Sequence, residues 1–219
     1  MIGGDTMLKA LKSYWAFTNL KYKLIMLVLF PLLLVVISMN VYRLKVELGF
    51  ASFIMLYWID MISDDHFMGG FYQRGNKDLG FMQSTPRFRK TMREIAVVDA
   101  IRRVVLYQIP YITLLWCSMG DVEAMEACRL MTFMPWLEAL IAQMTVLIKR
   151  EYTTAEEGNL SVSGGYICFL VIVFLIEWIG DMAGGNFIPV NVVLIVLILV
   201  AIIGTGWYTD KKMRESYYD

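Results

Sequence analysis

The sequence predicts an all-α, polytopic membrane protein with six transmembrane helices. Of its 219 residues, 58% are hydrophobic and only 18% are charged, whereas soluble domains carry about 25% charged residues. Apolar runs of about 20 residues recur along the whole chain, and this is the length that spans the hydrocarbon core of a bilayer. The formal net charge is zero, so no attraction to nucleic acid is expected.

The segments follow one another as a single transmembrane domain over residues 1–219. Residues 7–23 place lysines on one side and Leu, Trp and Tyr on the other, which predicts an interfacial helix; the alternative is a cytoplasmic extension. The third span belongs to a long helix whose first turns protrude from the membrane. Short polar or glycine-rich stretches bound the predicted spans, which lie near residues 24–42, 49–67, 95–119, 127–148, 165–180 and 190–208.

The placement of Lys and Arg predicts the orientation of these spans. Only Arg43, Lys45 and Arg129 of the 20 basic residues fall in loops on one side, which leaves 17 on the other. Because basic residues concentrate in cytoplasmic loops, the side with 17 is cytoplasmic. An even number of spans then places both termini in the cytoplasm.

Sequence motifs give no support for an enzyme. The chain has no phosphate-binding loop of the G-x-x-x-x-G-K-[ST] type, so it is not expected to bind ATP itself. A single histidine, His66, and three cysteines without C-x-x-C spacing predict neither a catalytic nor a metal site. The glycines on either side of Thr205 predict a close approach between two helices.

Ionisable residues within the spans are the candidate functional residues, because a charge in hydrocarbon is costly. Asp60, Glu138 and Glu177 are candidates for lining a polar translocation path. For Asp60 and Glu138, hydrogen bonding between helices is an equally good interpretation. Asp99 and Arg103 are one helical turn apart and are expected to neutralise each other on an extension outside the bilayer.

The polar segment between the second and third spans, residues 68–93, is too long for a turn and too short for a domain. It contains a short apolar stretch that ends before Pro86, followed by a basic run. This pattern predicts a short cytoplasmic helix over residues 74–83 that docks a soluble partner; the alternative is a surface-lying loop without a partner. The residues expected to make the contact are Arg74, Lys77, Asp78, Leu79, Phe81 and Met82.

In this segment the chain resembles the membrane subunits of ABC-2-type exporters. Residues 75–78 (Gly-Asn-Lys-Asp), 79–82 (Leu-Gly-Phe-Met), 84–86 (Ser-Thr-Pro) and 87–90 (Arg-Phe-Arg-Lys) follow the order of that family's coupling loop. Thr85 stands where the family usually has leucine. The small size and short outer loops look most like the permeases that export phenol-soluble modulins or antimicrobial peptides.

The resemblance implies a permease in the bacterial cytoplasmic membrane, with a second copy of the same chain, or a similar chain, as its partner. Two cytoplasmic ATPase subunits would bind ATP and Mg²⁺ and dock on the two coupling helices. The cargo would be amphipathic peptides. The competing interpretations are a membrane-embedded enzyme and a non-catalytic scaffold or channel.

Overall fold

The computed structural model describes residues 4–18, 20, 23–44, 56–62, 86–149, 155–182 and 187–218. Every element within these ranges is helical, which confirms the all-α prediction. Residues 56–62 are helical and are called the 56–62 segment. The other elements are α1 (Gly4–Phe17), a π-helix (Lys23–Leu29) that continues into α2 (Phe30–Leu44), α3 (Pro86–Cys117), α4 (Val122–Leu130), α5 (Met134–Lys149), α6 (Ala155–Met182) and α7 (Ile188–Tyr218).

Four helical stretches in the described part of the chain are long and apolar enough to cross a membrane. They coincide, within a few residues, with the first, fourth, fifth and sixth predicted spans. This architecture is that of a multi-pass membrane protein. The four stretches are Lys23–Asn40, Val122–Ile148, Leu160–Gly180 and Ile188–Lys212.

The two remaining predicted spans differ in what the structure describes of them. Of residues 49–67, only the 56–62 segment lies within the described ranges. The third predicted span falls on α3, which has 32 residues and a length of about 48 Å. This helix carries Asp99, Arg102 and Arg103 and is not among the four apolar stretches. The total of six spans therefore stays a prediction.

Helix α3 is the central helix of the described bundle, since it packs against α1, α2, α5 and α7. It begins at Pro86, because proline needs no hydrogen-bond acceptor for its nitrogen in the first turn of a helix. The basic run after Pro86 thus forms the first turns of α3. On α1, Ala10 and Tyr14 are buried while Leu8 and Trp15 are exposed, so one face is packed and the other exposes apolar side chains; the interfacial position of this helix stays a prediction.

Two of the apolar helical stretches are not continuous α-helix. The π-helix immediately precedes α2, whose second residue is Pro31; the proline ring conflicts with the carbonyl of residue 27 in regular α-helix, and the wider π turn relieves this. The fourth span breaks between α4 and α5. There Asn191 of α7 donates from Nδ2 to Oγ1 of Thr132 at 2.9 Å and braces the break.

Two glycines allow neighbouring helices to approach closely. A Cβ added at Gly165 would overlap Thr145 Oγ1 and lie 2.6 Å from the Tyr57 hydroxyl. A Cβ at Gly206 would lie 3.1 Å from Val97, so the predicted close approach between two helices is present at Gly206, where α7 meets α3. Small residues at helix contacts are the usual solution in membranes, where close packing drives association.

We expect the substitution Gly165→Ala to destabilise the bundle by about 1–3 kcal/mol, because the added methyl group overpacks the contact. The Tyr57 hydroxyl already donates a hydrogen bond to Thr145 Oγ1 there, at 3.2 Å. The adjacent Gly164 provides the matched control, since nothing lies within 4 Å of a Cβ added there. Thermal unfolding in detergent measures both. A Gly165→Ala protein as stable as Gly164→Ala would contradict the packing described here.

Candidate functional site

The candidate site is centred on two consecutive arginines of α3. Arg102 donates from Nε to Oδ1 of Asp99 at 2.9 Å, and Arg103 donates from Nη2 to Oδ2 of the same carboxylate at 3.1 Å. Helical geometry makes this possible, because residues three and four positions apart lie on neighbouring parts of the helix surface. Asp99 and Arg103 are both about 1% exposed.

A second carboxylate reaches the same arginines from the 56–62 segment. Asp60 accepts from Arg103 Nε at 2.5 Å and from Arg102 Nη2 at 3.0 Å, and it is completely buried. Each carboxylate therefore contacts both guanidinium groups, and the formal charges of the four side chains cancel. We call Asp60, Asp99, Arg102 and Arg103 the charge clamp.

The charge clamp is joined to two further helices by an amide and a hydroxyl. Gln143 of α5 accepts from Arg103 Nη1 through Oε1 at 2.7 Å and donates from Nε2 to Thr205 Oγ1 at 2.5 Å. Thr205 in turn donates to the Ala201 carbonyl within α7 at 2.8 Å. The 56–62 segment, α3, α5 and α7 are thus connected by one continuous polar network.

The polar interior continues one turn beyond the charge clamp. Tyr107 follows Arg103 by four residues on α3, and Glu138 precedes Gln143 by five on α5; both side chains are at most 1% exposed. Among the described residues, neither the Tyr107 hydroxyl nor Glu138 Oε2 has a hydrogen-bond partner. Both atoms are therefore available to accept a donor that enters this part of the bundle.

The structure places the sequence-predicted residues as follows. Asp60 and Glu138 are buried inside the bundle of one chain. The Asp99–Arg103 pair exists, and packing of α1, α5 and the 56–62 segment against α3 buries it; its expected position outside the bilayer stays a prediction. Glu177 lies on α6, and its side chain is outside the described residues. Outside them as well lie all six predicted coupling residues, Arg74, Lys77, Asp78, Leu79, Phe81 and Met82.

Sequence reasoning missed Gln143 and Thr205 as members of the site. Both are uncharged polar residues inside otherwise apolar runs, and that position was the available signal, since a polar side chain in a span needs a partner. No group of three His, Cys, Asp or Glu side chains in the described ranges is arranged to hold a metal ion.

Comparison with protein-family models, with curated proteins and with solved structures finds no match to this chain. The architecture and the buried polar network are therefore the basis for assigning a function. They define a helical membrane protein whose interior holds paired charges.

We expect Asp60→Asn to destabilise the protein by about 3–5 kcal/mol, because two buried guanidinium groups would keep only one carboxylate. Asp210→Asn is the matched control: Asp210 also pairs with an arginine, Arg214, at 2.6 Å, but that arginine side chain is 63% exposed. The control should cost about 0–1 kcal/mol. Thermal unfolding in detergent compares the two, and equal losses would rule out the charge clamp as a stabilising element.

Proposed function

We propose that this chain is the membrane-spanning permease subunit of an ATP-driven exporter, with ATP hydrolysis carried out by a separate cytoplasmic subunit. The observation that carries the proposal is the position of the charge clamp. Asp60 lies just before residues 63–85, and Arg102 and Arg103 lie on the helix that follows them. The clamp therefore joins the two helices that flank the predicted coupling segment.

This arrangement suits the transmission of force. A partner that displaces the coupling segment moves the 56–62 segment and α3 together, because the ion pairs hold them to each other. Gln143 and Thr205 extend the connection to α5 and α7. Closely packed helices shift between discrete arrangements instead of deforming continuously, so a displacement on the cytoplasmic side can switch the whole bundle.

The interior beyond the charge clamp supplies candidates for the translocation path. Glu138 and Tyr107 present acceptor atoms without partners among the described residues, and a path along them opens when α3 and α5 separate. Glu177 remains a candidate from the sequence. A dimer of two such chains, with one ATPase on each coupling segment, follows from the resemblance to ABC-2-type exporters, as does a cargo of amphipathic peptides.

The proposal predicts that an ATPase co-purifies with the tagged chain from native membranes. Leu79→Asp and Phe81→Asp should each abolish this association, because they place a charge in an apolar contact, where truncation alone costs about 2 kcal/mol or more. Val122→Asp is the control, since Val122 is 82% exposed at the predicted outer end of α4. Its association with the ATPase should be unchanged.

Retention of the ATPase and of its ATP hydrolysis by both loop variants would contradict the coupling assignment. A chain that purifies as a stable monomer and never associates with an ATPase would favour a scaffold or channel. Mass measurement of the detergent-solubilised complex distinguishes these outcomes.

For the translocation path, we expect Glu138→Gln to lower peptide export about tenfold, because the path loses a charged acceptor whose hydrogen bonds are worth roughly 1.5–3 kcal/mol. The unfolding midpoint should stay close to that of the parent, since the amide has the same shape. Glu126→Gln is the control, because Glu126 is an exposed carboxylate on α4. Export is measured in cells as secreted peptide per unit of membrane-inserted chain. An unchanged export rate for Glu138→Gln would assign Glu138 a purely structural role.

A further inference from the structure

Two exposed tryptophans of the chain each have a lysine ammonium group over the ring. Trp15 of α1 is 56% exposed and lies 4.5 Å from Lys23 Nζ, and Trp207 of α7 is 68% exposed and lies 5.8 Å from Lys211 Nζ. An indole ring beside an ammonium group is typical of the boundary between lipid headgroups and hydrocarbon. These pairs therefore mark the level of that boundary.

The turns of α1 and α7 that carry these tryptophans contact the same part of α3. Tyr14, the neighbour of Trp15, places its hydroxyl 3.5 Å from Asp99. Gly206, the neighbour of Trp207, lies against Val97, which is two residues from Asp99. Two residues correspond to about 3 Å along a helix axis, so the turns that carry the tryptophans contact α3 within one helical turn of each other.

Beyond this level the first turns of α3 form a basic surface. Residues 86–94 contain four basic side chains and a single acidic one, Glu94. Arg87, Lys90 and Arg93 are exposed and follow one another at intervals of three, so they are neighbours on the helix surface. The stem of Arg93 reaches α7, because its Cγ lies 3.5 Å from a Cβ added at Gly206.

An apolar stripe on α7 leads from this basic surface towards the membrane interior. Val200, Ile203 and Trp207 are 60%, 73% and 68% exposed, and their spacing of three and four residues places them on one face of the helix. Cationic groups at one end and an exposed apolar stripe at the other match the two parts of a phospholipid, an anionic headgroup and an acyl chain.

We propose that a binding surface for anionic phospholipid is formed by the basic side chains of Arg87, Lys90 and Arg93 together with the apolar stripe on α7. The apolar stripe selects a lipid over a soluble acidic protein, because it continues past the tryptophan level into the region of the acyl chains. A zwitterionic lipid offers the same acyl chains but no net charge, so the surface distinguishes lipids by their headgroups. This inference is independent of the exporter proposal.

The test uses the full chain in neutral detergent, with thermal unfolding followed as lipid is added. Phosphatidylglycerol should raise the unfolding midpoint more than phosphatidylcholine at equal concentration. The triple variant Arg87→Gln/Lys90→Gln/Arg93→Gln should bind phosphatidylglycerol roughly 100-fold more weakly, since each basic residue near a membrane surface contributes about fivefold. Added salt should weaken binding to the parent by screening the charges.

Two controls keep the test specific. Arg129→Gln removes an exposed basic residue from α4, and Trp178→Leu removes a tryptophan on α6 that is 63% exposed; both should keep the phosphatidylglycerol effect. Trp207→Leu should reduce it. Should the triple variant fail to fold, the single variants Arg87→Gln and Lys90→Gln replace it.

Four results would overturn the proposal. The first is equal stabilisation by phosphatidylglycerol and phosphatidylcholine. The second is an undiminished phosphatidylglycerol effect in the variants that have lost basic residues. The third is full stabilisation by inorganic phosphate alone, which would indicate an anion site without a lipid. Loss of the effect in Arg129→Gln to the same degree would equally exclude a local surface.

Discussion

The charge clamp is the constraint on which the rest of this structure depends. Two carboxylates and two guanidinium groups are buried together, and removing any one would leave a charge without compensation in a poorly solvating interior. Asp60 contributes from the 56–62 segment, whereas Asp99, Arg102 and Arg103 all belong to α3. The chain therefore folds only in arrangements that bring the 56–62 segment against this one turn of α3.

Hydrogen bonds from this turn of α3 fix the orientation of neighbouring helices. Gln143 fits between Arg103 and Thr205 only if its carbonyl faces α3 and its amide nitrogen faces α7, so the rotation of α5 about its own axis is specified. Apolar packing by itself would tolerate several rotations, because lipid and helix surfaces are similarly apolar. The hydrogen bonds select one of them, and the close contact at Gly165 allows α6 to complete the packing.

Polar groups in this protein are arranged in layers along α3. Its first turns are basic and exposed, the charge clamp comes next, and Tyr107 with Glu138 lies deeper. The deepest layer holds two acceptor atoms without hydrogen-bond partners among the described residues. A single central helix thus carries exposed basic, buried charged and buried neutral side chains in succession.

The sequence by itself determined the membrane class, the all-α fold and four of the spans, because hydropathy over about 20 residues depends only on local composition. It also determined the Asp99–Arg103 pair, since residues four apart on a helix are neighbours whatever surrounds them. Asp60 and Glu138 were singled out by their charge alone, although their surroundings were not predictable. The break between α4 and α5 was missed, because hydropathy is insensitive to a short interruption in an apolar run.

Only the tertiary structure decided which charges meet. Asp60 and Arg103 are 43 positions apart, and no periodicity in the sequence links them. The spacing of Asp99 and Arg103 predicted that they pair, but not that neighbouring helices bury the pair. Gln143 and Thr205 are neutral and gave only a weak signal, yet they connect the clamp to two helices. Burial is a property of the neighbours a residue acquires, and those neighbours come from distant parts of the chain.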